Sequence, residues 1–267
     1  VTSAAGRILK NDLLTEYARE RIKAFWKFTR KTGGLNEYNS PTYTFVALFE
    51  TERILQLSAD METCEYAEKV RRLIWQSLAE HYHPATGQLA GPHSRAYALL
   101  LDKGTIRYLS EMTGADIPGK DSKEEKTDLS LFSGETHLPC PKEVAKRFRK
   151  LPEKELESTR RFIRREPDSD SCYGTTWMTE QATFGSISRG CTWVQAHPLI
   201  AYWINGKKPA VFHFNFLKNG REFSSLGFRT AQRKNIALTA FHPLTDRGDY
   251  HIHLYHPADQ TFRASEL

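Results

Sequence analysis

The hydrophobic repeat changes once along this chain, and that change limits the fold more than any other feature. From Asp12 to about Met112 apolar residues recur at helical spacing; from about Phe162 they alternate with period two. The switch predicts an α+β chain with its helices first. The expected division is a helical domain over 1–113, a linker with a short basic helix over 114–160, and an antiparallel β domain over 161–267, possible within 267 residues as one large domain or two modest ones.

Local signals place the elements. Asn11 caps a helix starting at Asp12, whose stripe is Leu13, Tyr17, Ile22, Phe25, Trp26 and Phe28, and Gly33-Gly34 ends it. Ser40 is expected to cap the next helix with Pro41 in its first turn. A third helix is expected from about Met61 to His81, and a weaker one over Thr105–Met112. Strands are expected around Cys172–Met178, Leu199–Trp203, Ala210–Phe216, Leu226–Gln232, Asn235–Phe241 and Tyr250–Tyr255. Asn205-Gly206, Asn219-Gly220 and Asp246-Arg247-Gly248 supply turns.

Charge narrows the partners. A formal net charge of +6 suits an acidic partner, nucleic acid or an anionic polysaccharide. The densest run, Lys142 to Arg165, is interrupted by Glu153, Glu155 and Glu157 and reads as a solvated helical face. No nucleic-acid motif accompanies the charge, so no nucleic-acid partner is expected. No apolar run approaches the roughly 18 residues of a membrane span, and VTSAAGRILKND has no signal-peptide core. HIHLYHPADQTFRASEL alternates like a strand and stops without a partner, so the chain is expected to be part of a longer protein.

Metal and nucleotide templates fail. The four cysteines form no CxxC pair; Cys172 and Cys191 lie in one β region, where a disulfide and two free thiols both stand as readings. His213, His242, His251, His253 and His256 invite a metal, but no carboxylate or cysteine stands at ligand spacing. There is no GxSxG, P-loop, GxGxxG or HExxH, and no cofactor is expected.

The chemistry gathers in two helix-entrance loops. The first carries Asn36, Glu37, Tyr38, Asn39 and Tyr43, a denser polar set than capping requires; the second carries His93, Ser94, Arg95 and Tyr97. Facing one cavity, they would make a proton-abstracting set. Asn or Arg neutralises a carboxylate and acidifies the adjacent C–H, His or Tyr takes the proton, and Tyr returns one to the leaving oxygen. That is β-elimination on a uronic acid. The alternative stands beside it: helix caps, interhelical tyrosine packing and turn histidines. A third cluster holds Trp177, Glu180, Gln181, Arg189, Trp193, Gln195 and His197, which would cap a sugar cleft or pair Trp177 with Trp193 across strands.

The blocks Asn36-Glu37-Tyr38-Asn39-Ser40-Pro41-Thr42-Tyr43, Gly91-Pro92-His93-Ser94-Arg95-Ala96-Tyr97, and Thr176–Glu180 with Gly185–Gly190 resemble a largely uncharacterised microbial family, similar in layout to heparinase-like and chondroitin-lyase-like polysaccharide lyases. The resemblance implies antiparallel helical hairpins forming a partial α/α toroid, then a β-sandwich-like domain, and an extracytoplasmic or secreted setting. It implies a lyase acting on an acidic polysaccharide, with catalytic roles for Asn39, His93, Tyr38, Arg95 and Tyr97. Substrate contacts are expected from Asn36, Glu37, Tyr43, Trp177, Glu180 and Arg189. Two alternatives remain: a glycoside hydrolase of the six-hairpin toroid type using Glu37 and Glu180, with the carboxylate separation fixing stereochemistry, and a non-catalytic glycan-binding piece of a larger protein.

Overall fold

The computed structural model describes residues 2–120, 137–163, 171–193, 195–206, 208–218, 221–223 and 226–243. The helical part contains α1 (Thr2–Leu9), α2 (Asp12–Thr32), α3 (Tyr43–Leu57), α4 (Met61–His81), α5 (Lys103–Thr113) and the single turn α6 (Lys142–Ala145). A small hairpin, β1 (Tyr82–His83) and β2 (Gln88–Leu89), follows α4 directly. The fold is α+β, helical hairpins followed by antiparallel sheets.

Caps set the helix ends. The Asn11 side chain accepts from Leu14 N, Asp60 from Thr63 N, and Asp102 from Gly104 N and Thr105 N. Gly33 and Gly114 close α2 and α5 at φ 74° and 64°, a conformation that costs a residue with Cβ but not glycine. The expected Ser40 cap is displaced. α3 starts at Tyr43, and the Ser40 hydroxyl accepts from Tyr43 N at 3.1 Å while Pro41 stays outside the helix.

The main core joins Phe45, Leu48 and Phe49 of α3 to Val70, Ile74, Trp75 and Leu78 of α4 and Leu109 of α5. Each such side chain contributes roughly 1.5–3 kcal/mol by leaving water. The expected α2 stripe holds in part: Ile22 and Trp26 pack on the core, joined by Ala18 and Thr29 facing inward, while Leu13, Tyr17, Phe25 and Phe28 are exposed. α2 carries apolar residues on two faces, and only the face of Ile22 and Trp26 packs. The expected linker is also corrected in two places. Ala115, Ile117, Cys140, Val144 and Phe148 belong to the main core, and the β region opens at Glu155, inside the run read as a helical face. Its charges alternate as a strand's do.

The β part comprises β3 (Glu155–Ile163), β4 (Cys172–Thr179), β5 (Ala182–Ile187), β6 (Arg189–Cys191), β7 (Leu199–Asn205), β8 (Lys208–His213), β9 (Leu217–Lys218), β10 (Arg221–Glu222), β11 (Leu226–Arg233) and β12 (Ile236–Pro243). One sheet runs β3-β4-β5-β7-β8 and a second β12-β11-β6, with antiparallel pairing throughout. The expected β7–β8 turn at Asn205-Gly206 is present, with Gly206 at φ 60°. The expected strand at 250–255, the turns at 219–220 and 246–248, and His251, His253 and His256 lie outside the described residues. Cys172 and Cys191 are not bonded: the Cys172 thiol is buried against the Arg189 carbonyl at 3.4 Å, and Cys191 is exposed.

The five-stranded sheet turns one face to the helical part. Along β4 the buried residues are Cys172, Gly174, Thr176 and Met178. A Cβ at Gly174 would meet the Tyr38 ring, and one at Gly185 would overlap the Gly91 carbonyl. These glycines let the two polar loops lie flat on the sheet.

Candidate functional site

Both polar loops and the strand 4–7 region meet in one place. Ser94 N donates to the Tyr38 carbonyl at 3.1 Å, Ala96 N to the Gln195 carbonyl at 2.7 Å, and His93 and His197 form a β-bridge. Thr176 Oγ1 donates to the Gly91 carbonyl at 2.7 Å. The three sequence blocks are thus interlocked, and the site divides into an inner joint and an outer rim.

The joint takes Tyr38, Asn39 and His93. Asn39 Nδ2 donates to the carbonyls of Ala90 and Pro92 at 2.6 and 3.0 Å. His93 Nδ1 donates to the Asn39 carbonyl at 2.7 Å, and its Nε2 lies 3.3 Å from the Tyr202 hydroxyl. The Tyr38 hydroxyl donates to His81 Nε2 at 2.7 Å, because His81 Nδ1 already donates to the Ser77 carbonyl. His93 is 1% exposed, Tyr38 5% and Asn39 7%, so none of the three reaches a ligand on the surface. Burial, helped by His197, lowers the His93 pKa to about 3, and burial lowers that of His81 to about 4. Burial raises that of Tyr38. All three are neutral at pH 7 and serve as hydrogen-bonding struts.

The rim takes Glu37, Tyr43, Arg95 and Tyr97, with Asn36 exposed beside them. Arg95 Nε donates to Gln195 Oε1 at 2.9 Å, Nη1 to Glu37 Oε1 at 3.1 Å, and Nη2 to the Tyr97 hydroxyl at 2.8 Å. Its guanidinium lies 4.6, 5.6 and 5.5 Å from the rings of Tyr43, Tyr97 and Trp193, distances at which cation–π attraction operates. The Tyr43 and Tyr97 hydroxyls are 2.9 Å apart. Three of the five guanidinium N–H groups have these partners; two have none among the described residues.

Next to the rim opens a cleft of about 240 Å³, lined by Tyr97, Leu99, Trp193, His197, His213 and Asn215 among others. His197 is 7% exposed, and its buried Nδ1 has no partner among the described residues. Burial, with a smaller effect from His213, lowers its pKa to about 4. The His197 and His213 rings are 5.9 Å apart. Asn215 carried no sequence signal beyond its two-residue spacing from His213, which by itself marks only a shared strand face.

Trp177, Glu180 and Arg189 are not brought to this site. Trp177 lies on the other face of β4 and donates to Glu155 Oε1 at 2.8 Å; it does not pair with Trp193. Glu180 is exposed at the β4–β5 turn, in a different cleft. Arg189 is in β6. Glu37 adjoins Tyr38, which packs at Gly174, so Glu37 and Glu180 are at opposite ends of β4, roughly 20 Å apart by strand rise.

Among the described residues no three His, Cys, Asp or Glu side chains are grouped to hold a metal ion, and no described helix is long and apolar enough to cross a membrane. No curated protein matches the chain, and no solved structure does. Residues 1–126, which carry α1 to α5 and both polar loops, match the model of a family described as a domain of unknown function, DUF8769.

Proposed function

We propose that this is a carbohydrate-active protein that binds an acidic glycan in the cleft beside Arg95, with β-elimination at a uronic acid as its reaction. The observation that carries the reading is Arg95 itself. It is stacked among three rings, with one N–H on each terminal nitrogen left over among the described residues to donate to a carboxylate. Tyr97 and Trp193 offer ring faces on which the apolar C–H side of a sugar packs, and both line the cleft.

The elimination reading is supported by the cleft's remaining groups. Arg95 neutralises the uronate carboxylate, His213 takes the adjacent proton, and the Tyr97 hydroxyl returns one to the leaving oxygen. Tyr38, Asn39 and His93 act behind the cleft as positioning residues. The hydrolase alternative has less support, because Glu37 and Glu180 are too far apart for the roughly 5–9.5 Å of paired glycosidase carboxylates.

The test is incubation with a panel of acidic polysaccharides, following the ultraviolet absorbance of the unsaturated uronate product alongside glycan binding. Product formation that disappears in Arg95→Ala and His213→Ala is the expected result. Binding without product would reduce the protein to a glycan-binding module. Neither binding nor product on any member would overturn the reading.

A further inference from the structure

A second cleft, of about 260 Å³, lies between the β1–β2 turn, the loop at 149–154 and the β4–β5 turn. Its lining includes Arg149, Lys150 and Lys154, with Glu153 and Glu180, over a floor at His83. His83 is fully buried and fixed: Nε2 donates to the Thr179 carbonyl at 2.7 Å, and Nδ1 accepts from Thr86. Arg147, one turn before the loop, adds charge near His83. Its Nη1 is buried with no acceptor among the described residues, its Nη2 lies 3.7 Å from Met178 Sδ, and Glu80 supplies the opposing charge.

The three cations and two carboxylates of the lining are not paired with one another within ion-pair distance among the described residues. Among the described residues Arg149 donates to the Gly114 carbonyl alone, at 3.3 Å. This contrasts with the helical surface, where Lys69–Glu65 and Arg72–Glu143 are direct pairs. The three cations of the lining, Arg149, Lys150 and Lys154, outnumber its two carboxylates and attract an anion into the cleft.

We propose that this cleft is a second ligand site, for a small molecule bearing a phosphate or sulfate group. Lys150 and Lys154 are compact point charges on flexible stems, which suit a tetrahedral oxyanion better than a planar carboxylate. The body of the ligand rests on Pro84, Ala85, Leu151 and Pro152. Glu153 and Glu180 set a limit on the ligand's negative charge. The proposal stands apart from the Arg95 cleft and does not depend on what binds there.

The test is calorimetric titration of the whole chain with inorganic phosphate, inorganic sulfate and a hexose 6-phosphate, at ionic strength held constant with chloride. Saturable binding is expected. Lys150→Ala/Lys154→Ala should weaken it at least about tenfold, as the loss of charge-assisted hydrogen bonds implies. Glu180→Gln should tighten it, and the charge-matched control Lys142→Ala/Lys146→Ala, outside the cleft, should leave it unchanged. Preference for phosphate or for sulfate identifies the group. No saturable binding to any of the three, or equal weakening by both double variants, would overturn the proposal.

Discussion

Tyr38 and Glu37 are neighbours in the chain, as are His93 and Arg95 at a remove of two, yet each pair divides between the two parts of the site. The inner members, Tyr38, Asn39 and His93, are buried with protein hydrogen-bond partners. The outer members, Glu37, Arg95 and Tyr97, form a half-exposed network stacked with aromatic rings. The same residue types do opposite work: inside, polar groups satisfy loop carbonyls that would otherwise be buried unpaired; outside, they retain unfilled donors. A dense polar motif is therefore two structures laid along one segment, and only the outer one is available to a ligand.

Acidification should separate them most. His81, His93 and His197 are held by burial at about 4, about 3 and about 4, below their unfolded value near 6.5. As pH falls the unfolded chain takes up protons first. Stability is therefore complete above about pH 6.5 and is lost towards the folded values, each histidine contributing about 1.4 kcal/mol per pH unit in that window. Three such groups together remove about 6 kcal/mol by pH 5, the lower end of ordinary domain stability. Tryptophan fluorescence against pH should show cooperative unfolding there. Unchanged stability between pH 7 and 5 would mean that these three histidines are not sealed.

Gly185→Ala comes next. Its Cβ would overlap the backbone of Gly91, and neither backbone has a rotamer by which to escape. A loss of about 3 kcal/mol or more is expected in denaturant unfolding, with glycan binding lost too because the rim rides on the displaced loop. Asn39→Ala should cost about 2–4 kcal/mol, since it leaves the Ala90 and Pro92 carbonyls buried without their donor. It also places alanine at φ 47°, a conformation asparagine tolerates better. A variant as stable as the parent would remove Asn39 from the joint.

Much of this fold was legible from spacing and caps. α4 occupies Met61–His81 as expected because Asp60 caps it and its apolar face is unbroken. β4, β7, β11 and β12 follow the period-two segments within a few residues. The phase of α2 was not legible, since Leu13 and Tyr17 are as apolar as the residues that pack. α1 carried no cap signal, and the alternating charges of β3 read as helical. At the site, that the two loops face one cavity was one of two readings, and the inward turn of Tyr38 and His93 was not foreseen. That orientation depends on Gly174 and Gly185, over 90 positions further along, which leave room for Tyr38 and Gly91 against the sheet. No local pattern encodes a contact at that separation.

The smallest stability change is expected at Arg95, and it gives the finest test. Its ion pair with Glu37 is partly exposed, with side chains 19% and 40% accessible, so Arg95→Ala should cost only about 1 kcal/mol from the pair and the ring contacts together. Arg95→Lys should cost less, because lysine keeps the charge and can still stack. Lysine lacks the planar fork, however, and cannot serve Gln195, Glu37 and Tyr97 while presenting two further donors. Acidic-glycan affinity is therefore expected to fall about tenfold or more in both variants. Equal losses would place recognition in the fork, whereas affinity kept by lysine alone would place it in the charge. Affinity kept by both variants would move the glycan out of this cleft and leave the rim, like the joint, as a packing device.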